Sequence, residues 1–345
     1  METLQKHKVK DQFERPVRDL RISVTDRCNF RCVYCMPREV FGPGYTFVPR
    51  AELLRLEEIS RIAKVFAKNG VSKIRITGGE PLIRRDLEQL IEMIDDVDGI
   101  QDVSMTTNAS LLTEDRARAL RTAGLKRINI SLDALDEKTF QKVNDVEFPV
   151  KKVLQGIENA EKVGFEQVKK NAVIRSCFNE HSISQLAAYF RGTGMILRFI
   201  EFMDVGSTNR WKLEEVVSVR QMVDIIGAEF PIVPVSPNYR GEVAKRWRYL
   251  DGTGEIGFIA SVTEPFCGDC SRARLSAVGM LYTCLFATSG FDLKALIREG
   301  GSDKALARHI CSIWENRTDR YSELRGKLPE QVSRQERVEM SHIGG

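Results

Sequence analysis

Six short β-rich runs, separated by helical stretches, fill the first two thirds of the chain, and the first four plainly keep one polar face. They are "DLRISVT" around Arg21, "KIRIT" at 73–77, "QDVSMTT" at 101–107, "RINISLD" at 127–133, "VKKNAVI" at 168–174 and "MILRFIEF" at 195–202. Side chains alternate across a strand with period two. Arg21, Ser23 and Thr25 therefore oppose Ile22 and Val24, and Lys73, Arg75 and Thr77 oppose Ile74 and Ile76. Likewise Ser104 and Thr106 oppose Val103 and Met105, while Asn129, Ser131 and Asp133 oppose Ile128 and Ile130. Residues 52–68 place Leu53, Leu56, Ile59, Ala63 and Phe66 on one helical stripe, and 86–97, 113–123, 150–163 and 182–191 read the same way. Gly70, Gly124 and Gly164 each follow such a stretch, as C-terminal caps do.

Repeated strand–helix units make a parallel sheet with helices outside. Parallel strands covered on both faces are apolar throughout, and a packed barrel fills its lumen with Val, Ile and Leu. These strands do neither. A wet antiparallel sheet would also alternate, but the intervening helices argue against it. The expected fold is an α/β incomplete TIM-type barrel of about six units, over 15–210, with a polar lumen. Lys73 and Arg75 on the inner face suggest an anionic ligand. From residue 211 the pattern changes: "PIVPVSPNYRGE" is proline-rich and "YLDGTGEIGFIAS" reads as turns and strands, so a second, smaller domain is expected over 211–345.

Charged residues make up 29% of the chain and the net charge is only +4, which points to a globular enzyme and away from a nucleic-acid binder. No run of about 18 apolar residues marks a membrane span. The opening "METLQKHKVKDQFERP" lacks the apolar stretch of a secretory leader, so a cytoplasmic location is expected.

Six of the eight cysteines fall in two triplets, Cys28, Cys32, Cys35 and Cys267, Cys270, Cys284. A chain of this size without an export signal is a poor candidate for a disulfide framework, and metal is the better reading. Cys177 and Cys311 stand alone and receive no role. Structural zinc takes four ligands. A [4Fe–4S] cluster held by three thiolates keeps one iron open, and C-x3-C-x2-C resembles the signature of the radical S-adenosylmethionine (SAM) superfamily. "TGGEP" at 77–81, directly after a strand, resembles that superfamily's loop at the SAM amino group; glycine there lets the backbone approach a ligand closely. The second triplet, C-x2-C-x13-C, suggests a second cluster with an open iron. Within it lies "CSRARL", whose Arg272 and Arg274 suit phosphates and planar heterocycles.

Taken with "LRISVTDRCNFRCVYCMP", "ITGGEPLIRRDL", "INISLDAL", "LRFIEFMDVG", "FCGDCSRARLS" and the terminal "MSHIGG", the chain resembles, over nearly its whole length, the radical SAM GTP 3′,8-cyclases of molybdenum cofactor biosynthesis. The resemblance implies that Cys28, Cys32 and Cys35 hold the SAM cluster and that Tyr34, Gly79, Ser131 and Met203 contact SAM. It implies GTP contacts from Arg21, Arg75, Thr106, Lys169, Arg272 and Arg274, with Lys73 and Arg198 as further cations. Cys267, Cys270 and Cys284 would hold the second cluster, whose open iron meets the guanine. Gly344 and Gly345 would support catalysis from a tail threaded into the barrel. The implied reaction removes the ribose 3′ hydrogen through a 5′-deoxyadenosyl radical, after which C3′ attacks C8, giving (8S)-3′,8-cyclo-7,8-dihydroguanosine 5′-triphosphate. Implied partners are an electron donor such as a flavodoxin or ferredoxin, cyclic pyranopterin monophosphate synthase, and a second copy in a homodimer. Where the family commonly reads Thr-Thr-Asn-Gly, this chain has Ala109 and Ser110, which leaves Thr106 or Thr107 as the contact; alternation favours Thr106. Two rival readings stay open: another radical SAM enzyme with an auxiliary cluster, such as a peptide maturase, and a non-enzymatic carrier with two clusters.

Overall fold

The computed structural model describes residues 9–327 and 336–345; the leader reading, made on residues 1–16, therefore falls partly outside the described residues. Twelve strands form one continuous sheet in the order β12-β11-β10-β1-β2-β3-β4-β5-β6-β9-β8-β7. The first six are β1 (Asp19–Ser23), β2 (Lys73–Thr77), β3 (Asp102–Thr107), β4 (Arg127–Ser131), β5 (Gln167–Ile174) and β6 (Ile196–Glu201). The rest are β7 (Ile232–Val235), β8 (Lys245–Tyr249), β9 (Glu255–Ile259), β10 (Arg272–Leu275), β11 (Met280–Tyr282) and β12 (Phe291–Asp292).

Each of the six runs named above is a strand, and neighbours in sequence are parallel neighbours in the sheet. Two strands from the last third of the chain extend this row. β10 pairs parallel with β1 at one edge, and β9 pairs parallel with β6 at the other. Antiparallel partners β11 and β8 then continue outward, so the row ends in β12 and β7, and the barrel stays open between them.

The longer helices are α1 (Leu56–Lys68), α2 (Leu87–Asp95), α3 (Glu114–Thr122), α4 (Glu137–Asn144), α5 (Val150–Val163), α6 (Ser182–Phe190), α7 (Val219–Glu229), α8 (Leu293–Arg298) and α9 (Asp303–Glu315). Local chemistry sets their ends. Thr113 and Asp136 accept the Arg116 and Thr139 amides as N-caps, and Gly164 closes α5 in the left-handed conformation at φ 79°. α4 and α7–α9 carry helical structure where the sequence reading had placed no helix, and after residue 211 had found only turns and strands.

The apolar face of every inner strand packs outward against helices. Ile22, Ile74, Val103 and Ile128 are all but inaccessible, and Ile59 and Leu90 meet this layer from α1 and α2. Burying one such side chain contributes about 1.5–3 kcal/mol. The opposite face of the same strands is the polar one, and it lines the concave side of the sheet.

Candidate active site

The strand register lays the polar side chains out in rows. Arg274, Arg21, Arg75, Ser104 and Arg127 are direct neighbours across β10, β1, β2, β3 and β4. Thr106, Asn129 and Lys169 form the next row, and Ser131, Asn171 and Arg198 the one above. All but Asn129 line one cavity of ≈350 Å³, within the usual range for ligand clefts.

This band holds far more positive than negative charge. Burial, and then the neighbouring guanidiniums of Arg274, Arg75 and Arg272, lower the pKa of Arg21. Burial and Arg272 bring Arg274 down to about 9, and burial with Arg75 and Arg127 does the same for Arg198. Lys169 falls to about 7 through burial and the charges of Arg198 and Arg127. A guanidinium keeps its proton in a protein, so these directions record the cost of burying the charges and, second to it, a mutual repulsion that a bound polyanion would relieve. Arg198 is aimed by two amides, donating to Asn171 Oδ1 at 2.9 Å and Asn129 Oδ1 at 2.7 Å. Lys73 Nζ sits 4.0 Å over the ring of Tyr239.

The first triplet occupies the loop leaving β1. Cys35 N and Met36 N both bond to Cys32 O, at 2.9 and 2.8 Å, winding the loop into a turn. All three thiols line the cavity. Burial pushes Cys28 up to about 12 and raises Cys32 and Cys35, with Cys28 and Cys35 adding to the effect on Cys32, and Cys28 and Glu339 to that on Cys35. Buried thiols gathered in this way favour a metal centre, which would take up their negative charge as thiolates. The Gly-Gly-Glu loop is laced to the same segment, with Gly79 N on Thr25 O and Glu80 N on Arg27 O, both at 2.8 Å. A Cβ at position 79 would lie 2.2 Å from Arg27 O, so only glycine allows this approach. Glu80 anchors the loop by accepting from Thr107 Oγ1 and Asn108 N, each at 2.7 Å, and burial raises its carboxyl to about 7. Tyr34, Gly79, Ser131 and Met203 all line this part of the cavity. The Tyr34 hydroxyl donates to Asp133 Oδ2 at 2.9 Å.

The two threonines both line the cavity but differ in what holds them. Thr107 is 2% exposed, and its hydroxyl donates to Glu80 and accepts from Ala109 N at 2.9 Å. Thr106 lies on the cavity-facing parity, in register with Asn129.

The second triplet, Cys267, Cys270 and Cys284, opens onto the same cavity from the β10 edge. Arg272 Nη2 donates to Cys270 Sγ at 3.1 Å. Burial would raise the Cys270 thiol, but Arg272 and Arg317 bring it down to about 6. Burial and then Asp319 push Cys284 up to about 12. Arg274 donates to the carbonyl of Gly344, and Gly345 lines the cavity. Among the described residues no three Cys, His, Asp or Glu side chains converge as a site for a single metal ion.

Two family models divide the chain between them: "Radical SAM superfamily" matches residues 22–190 and "Molybdenum Cofactor Synthesis C" matches 195–323. A GTP 3′,8-cyclase of Acidothermus cellulolyticus is 50% identical over 98% of this chain and 99% of its own. Another, of Staphylococcus epidermidis, is 48% identical over 99% of this chain and 100% of its own. The chain belongs to the GTP 3′,8-cyclase family, within the radical SAM superfamily. The fold has distant likenesses too: Streptococcus suis SuiB bound to S-adenosylmethionine, 15% identical, covers 92% of this chain and 70% of that one at a TM-score of 0.61.

Every residue proposed from the sequence as a ligand or contact in this cyclase lies on the one cavity, except Gly344, which reaches it through its carbonyl. Sequence reasoning passed over Arg127 and Asn171, although both share the parity of the lumen face, and Tyr239, in a loop without periodicity. Cys177 is exposed and Cys311 lies against Asn69, both away from the cavity.

Proposed function

We propose that this cyclase acts on GTP in the first step of molybdenum cofactor biosynthesis, with the two cysteine triplets at opposite ends of a cationic channel. The observation that carries the reading is that both triplets and the arginine band open onto one cavity. Cys28, Cys32 and Cys35 fit a [4Fe–4S] cluster with one iron left for SAM, and Tyr34, Gly79, Ser131 and Met203 surround the SAM site. When bound, cluster and SAM would supply on one-electron reduction a 5′-deoxyadenosyl radical that takes the ribose 3′ hydrogen, so that C3′ could bond to C8, with one further electron from the donor and a proton completing the product.

The chain's own residues then position the nucleotide. Arg21, Arg75 and Lys169, with Lys73 and Arg198 beside them, face the triphosphate, each charge-assisted contact contributing on the order of 1.5–3 kcal/mol. Arg272 and Arg274 hold the base end near a second [4Fe–4S] cluster on Cys267, Cys270 and Cys284. Thr106 meets the substrate, and the Gly344–Gly345 tail caps the base side and excludes water. The boundaries 15–210 and 211–345 describe two functional parts of one sheet. Electrons from a flavodoxin or ferredoxin, transfer of product to cyclic pyranopterin monophosphate synthase, a homodimer and a cytoplasmic setting rest on the family resemblance alone. Among the described residues no helix is long and apolar enough to cross a membrane.

The test is anaerobic turnover with SAM, reductant and either GTP or a panel of peptides. Mass spectrometry should find cyclised GTP and unmodified peptides. SAM cleavage without any GTP-derived product would overturn the proposal in favour of a different radical SAM reaction.

A further inference from the structure

The second triplet is held from behind by a buried ion cluster that none of the assigned roles uses. Asp11, Arg15 and Arg317 are each at most 4% exposed. One carboxylate oxygen, Asp11 Oδ2, accepts from Arg15 Nε at 2.6 Å and from Arg317 Nη1 at 3.1 Å. Its other oxygen accepts from the amides of Phe13 and Arg15, both at 3.0 Å, so the carboxylate is fixed to its own loop.

Three of the remaining guanidinium bonds go to the backbone that carries the three cysteines, while Arg15 Nη1 also donates to Asp319 O at 2.9 Å and Arg317 Nε to Asp319 Oδ2 at 3.2 Å. Arg15 Nη1 donates to Cys267 O at 2.7 Å. Arg317 Nη1 donates to Cys270 O at 2.8 Å, and Arg317 Nε to Thr283 O, one residue before Cys284, at 3.1 Å. Two forks tied by one carboxylate thus grip all three ligand positions. Trp314 completes the mount, donating from Nε1 to Arg15 O at 3.0 Å while Arg317 lies over its ring at 4.6 Å.

A network that only stapled the N-terminal loop to the end of α9 could bond to any carbonyls. This one places three of its bonds on the backbone of the triplet, and Arg317 itself lines the cavity with Cys270 and Cys284. Fixing ligand-bearing backbone fixes sulfur spacing, and outer partners of a metal site change affinity by about 10–100-fold when lost. A cation beside an iron–sulfur cluster stabilises its more negative, reduced form, and an anion opposes it; net charge and hydrogen bonding are the protein's levers on cluster potential.

We propose that Arg317, oriented by Asp11 and seconded by Arg15, is a positioning residue that sets both the retention and the reduction potential of the second cluster. This rests on the reading of that triplet as a cluster site. The test uses full-length protein in which Cys28, Cys32 and Cys35 are alanine, so that bound iron reports the second triplet alone. Iron per chain, the half-time of iron release to a chelator, and the midpoint potential from a spectroscopic redox titration are measured for Arg317→Met, Arg317→Lys and Asp11→Asn, with circular dichroism to confirm the fold.

Arg317→Met should lower the potential and Asp11→Asn should raise it, because they remove charges of opposite sign. Arg317→Lys should keep the potential near the parent but release iron about 10–100-fold faster, since the charge remains and the fork is gone. A merely structural staple would not move the potential in opposite directions. Should Arg317→Met fail to fold, the other two variants carry the test. Potentials and release rates equal to the parent's in folded variants would overturn the proposal while leaving the cluster reading intact. A parent that binds no iron would overturn the cluster reading itself.

Discussion

Arg274, on β10, donates to the carbonyl oxygen of Gly344, the penultimate residue of the chain. A terminus is ordinarily frayed and tolerant of change. This one is pinned at both ends of its last ten residues: Arg337 Nη1 donates to Asp204 O at 2.7 Å, and Glu339 accepts from Ser207 N at 2.9 Å and Thr208 Oγ1 at 3.0 Å. The loop that grips it begins one residue after Met203, so the tail bridges the Met203 side of the cavity and Arg274 on β10.

Deleting Gly344 and Gly345 is therefore expected to leave SAM binding and iron content unchanged while product formed per 5′-deoxyadenosine released falls more than about tenfold, the loss of one charge-assisted contact. Gly344 has φ +77°, and a Cβ there would lie 2.2 Å from Thr77 Cγ2, whereas at Gly345 the nearest atom is the Met340 sulfur at 3.0 Å. Gly344→Ala should accordingly be the more damaging single change. A truncated protein that forms product at the full rate would show the tail to be an ordinary chain end.

Arg274→Ala should weaken GTP binding by roughly 10–150-fold, the equivalent of about 1.5–3 kcal/mol, with both triplets still holding iron. The free protein should lose less stability than an ordinary buried truncation causes, because burial and Arg272 already press on this guanidinium. Calorimetric titration with GTP measures the first effect and thermal unfolding without nucleotide the second. Unchanged affinity would remove Arg274 from the site.

Lys170 offers a test of the fold independent of catalysis. It points away from the cavity, is fully buried, and its Nζ has only the Phe190 ring at 4.9 Å and no hydrogen-bond partner. Burial lowers it from 10.5 to about 7. Between those values the folded protein holds fewer protons than the unfolded chain, so stability rises with pH across the window and the cost of the buried charge is fully present below about pH 7. Lys170→Met should stabilise the protein at pH 7 by about 1–3 kcal/mol and flatten that slope. Denaturant unfolding at pH 6, 7.5 and 9 checks both; equal slopes for the two proteins would contradict the account.

The inner strands were legible because alternation is local: Arg21 against Ile22, or Arg75 against Ile76, follows from parity alone. Parity favours Thr106 over Thr107 for the lumen, and the Thr107 hydroxyl is taken up by Glu80. What could not be read depends on distant partners. Nothing in "RARL" says that β10 lies beside β1, some 250 residues earlier in the chain, in register Arg274 with Arg21. The Asp11–Arg15–Arg317 cluster was invisible for the same reason, since Arg15 and Cys267 lie 252 residues apart and Asp11 and Arg317 306. The helices after residue 211 were obscured by the proline-rich and turn-rich stretches between them.

The measurement that bears most directly on the central claim is the fate of the GTP 3′ hydrogen. With GTP deuterated at C3′, anaerobic turnover with SAM and reductant should yield 5′-deoxyadenosine carrying one deuterium, in step with cyclised product that has lost it. Unlabelled 5′-deoxyadenosine, or label retained in every GTP-derived species, would contradict the account.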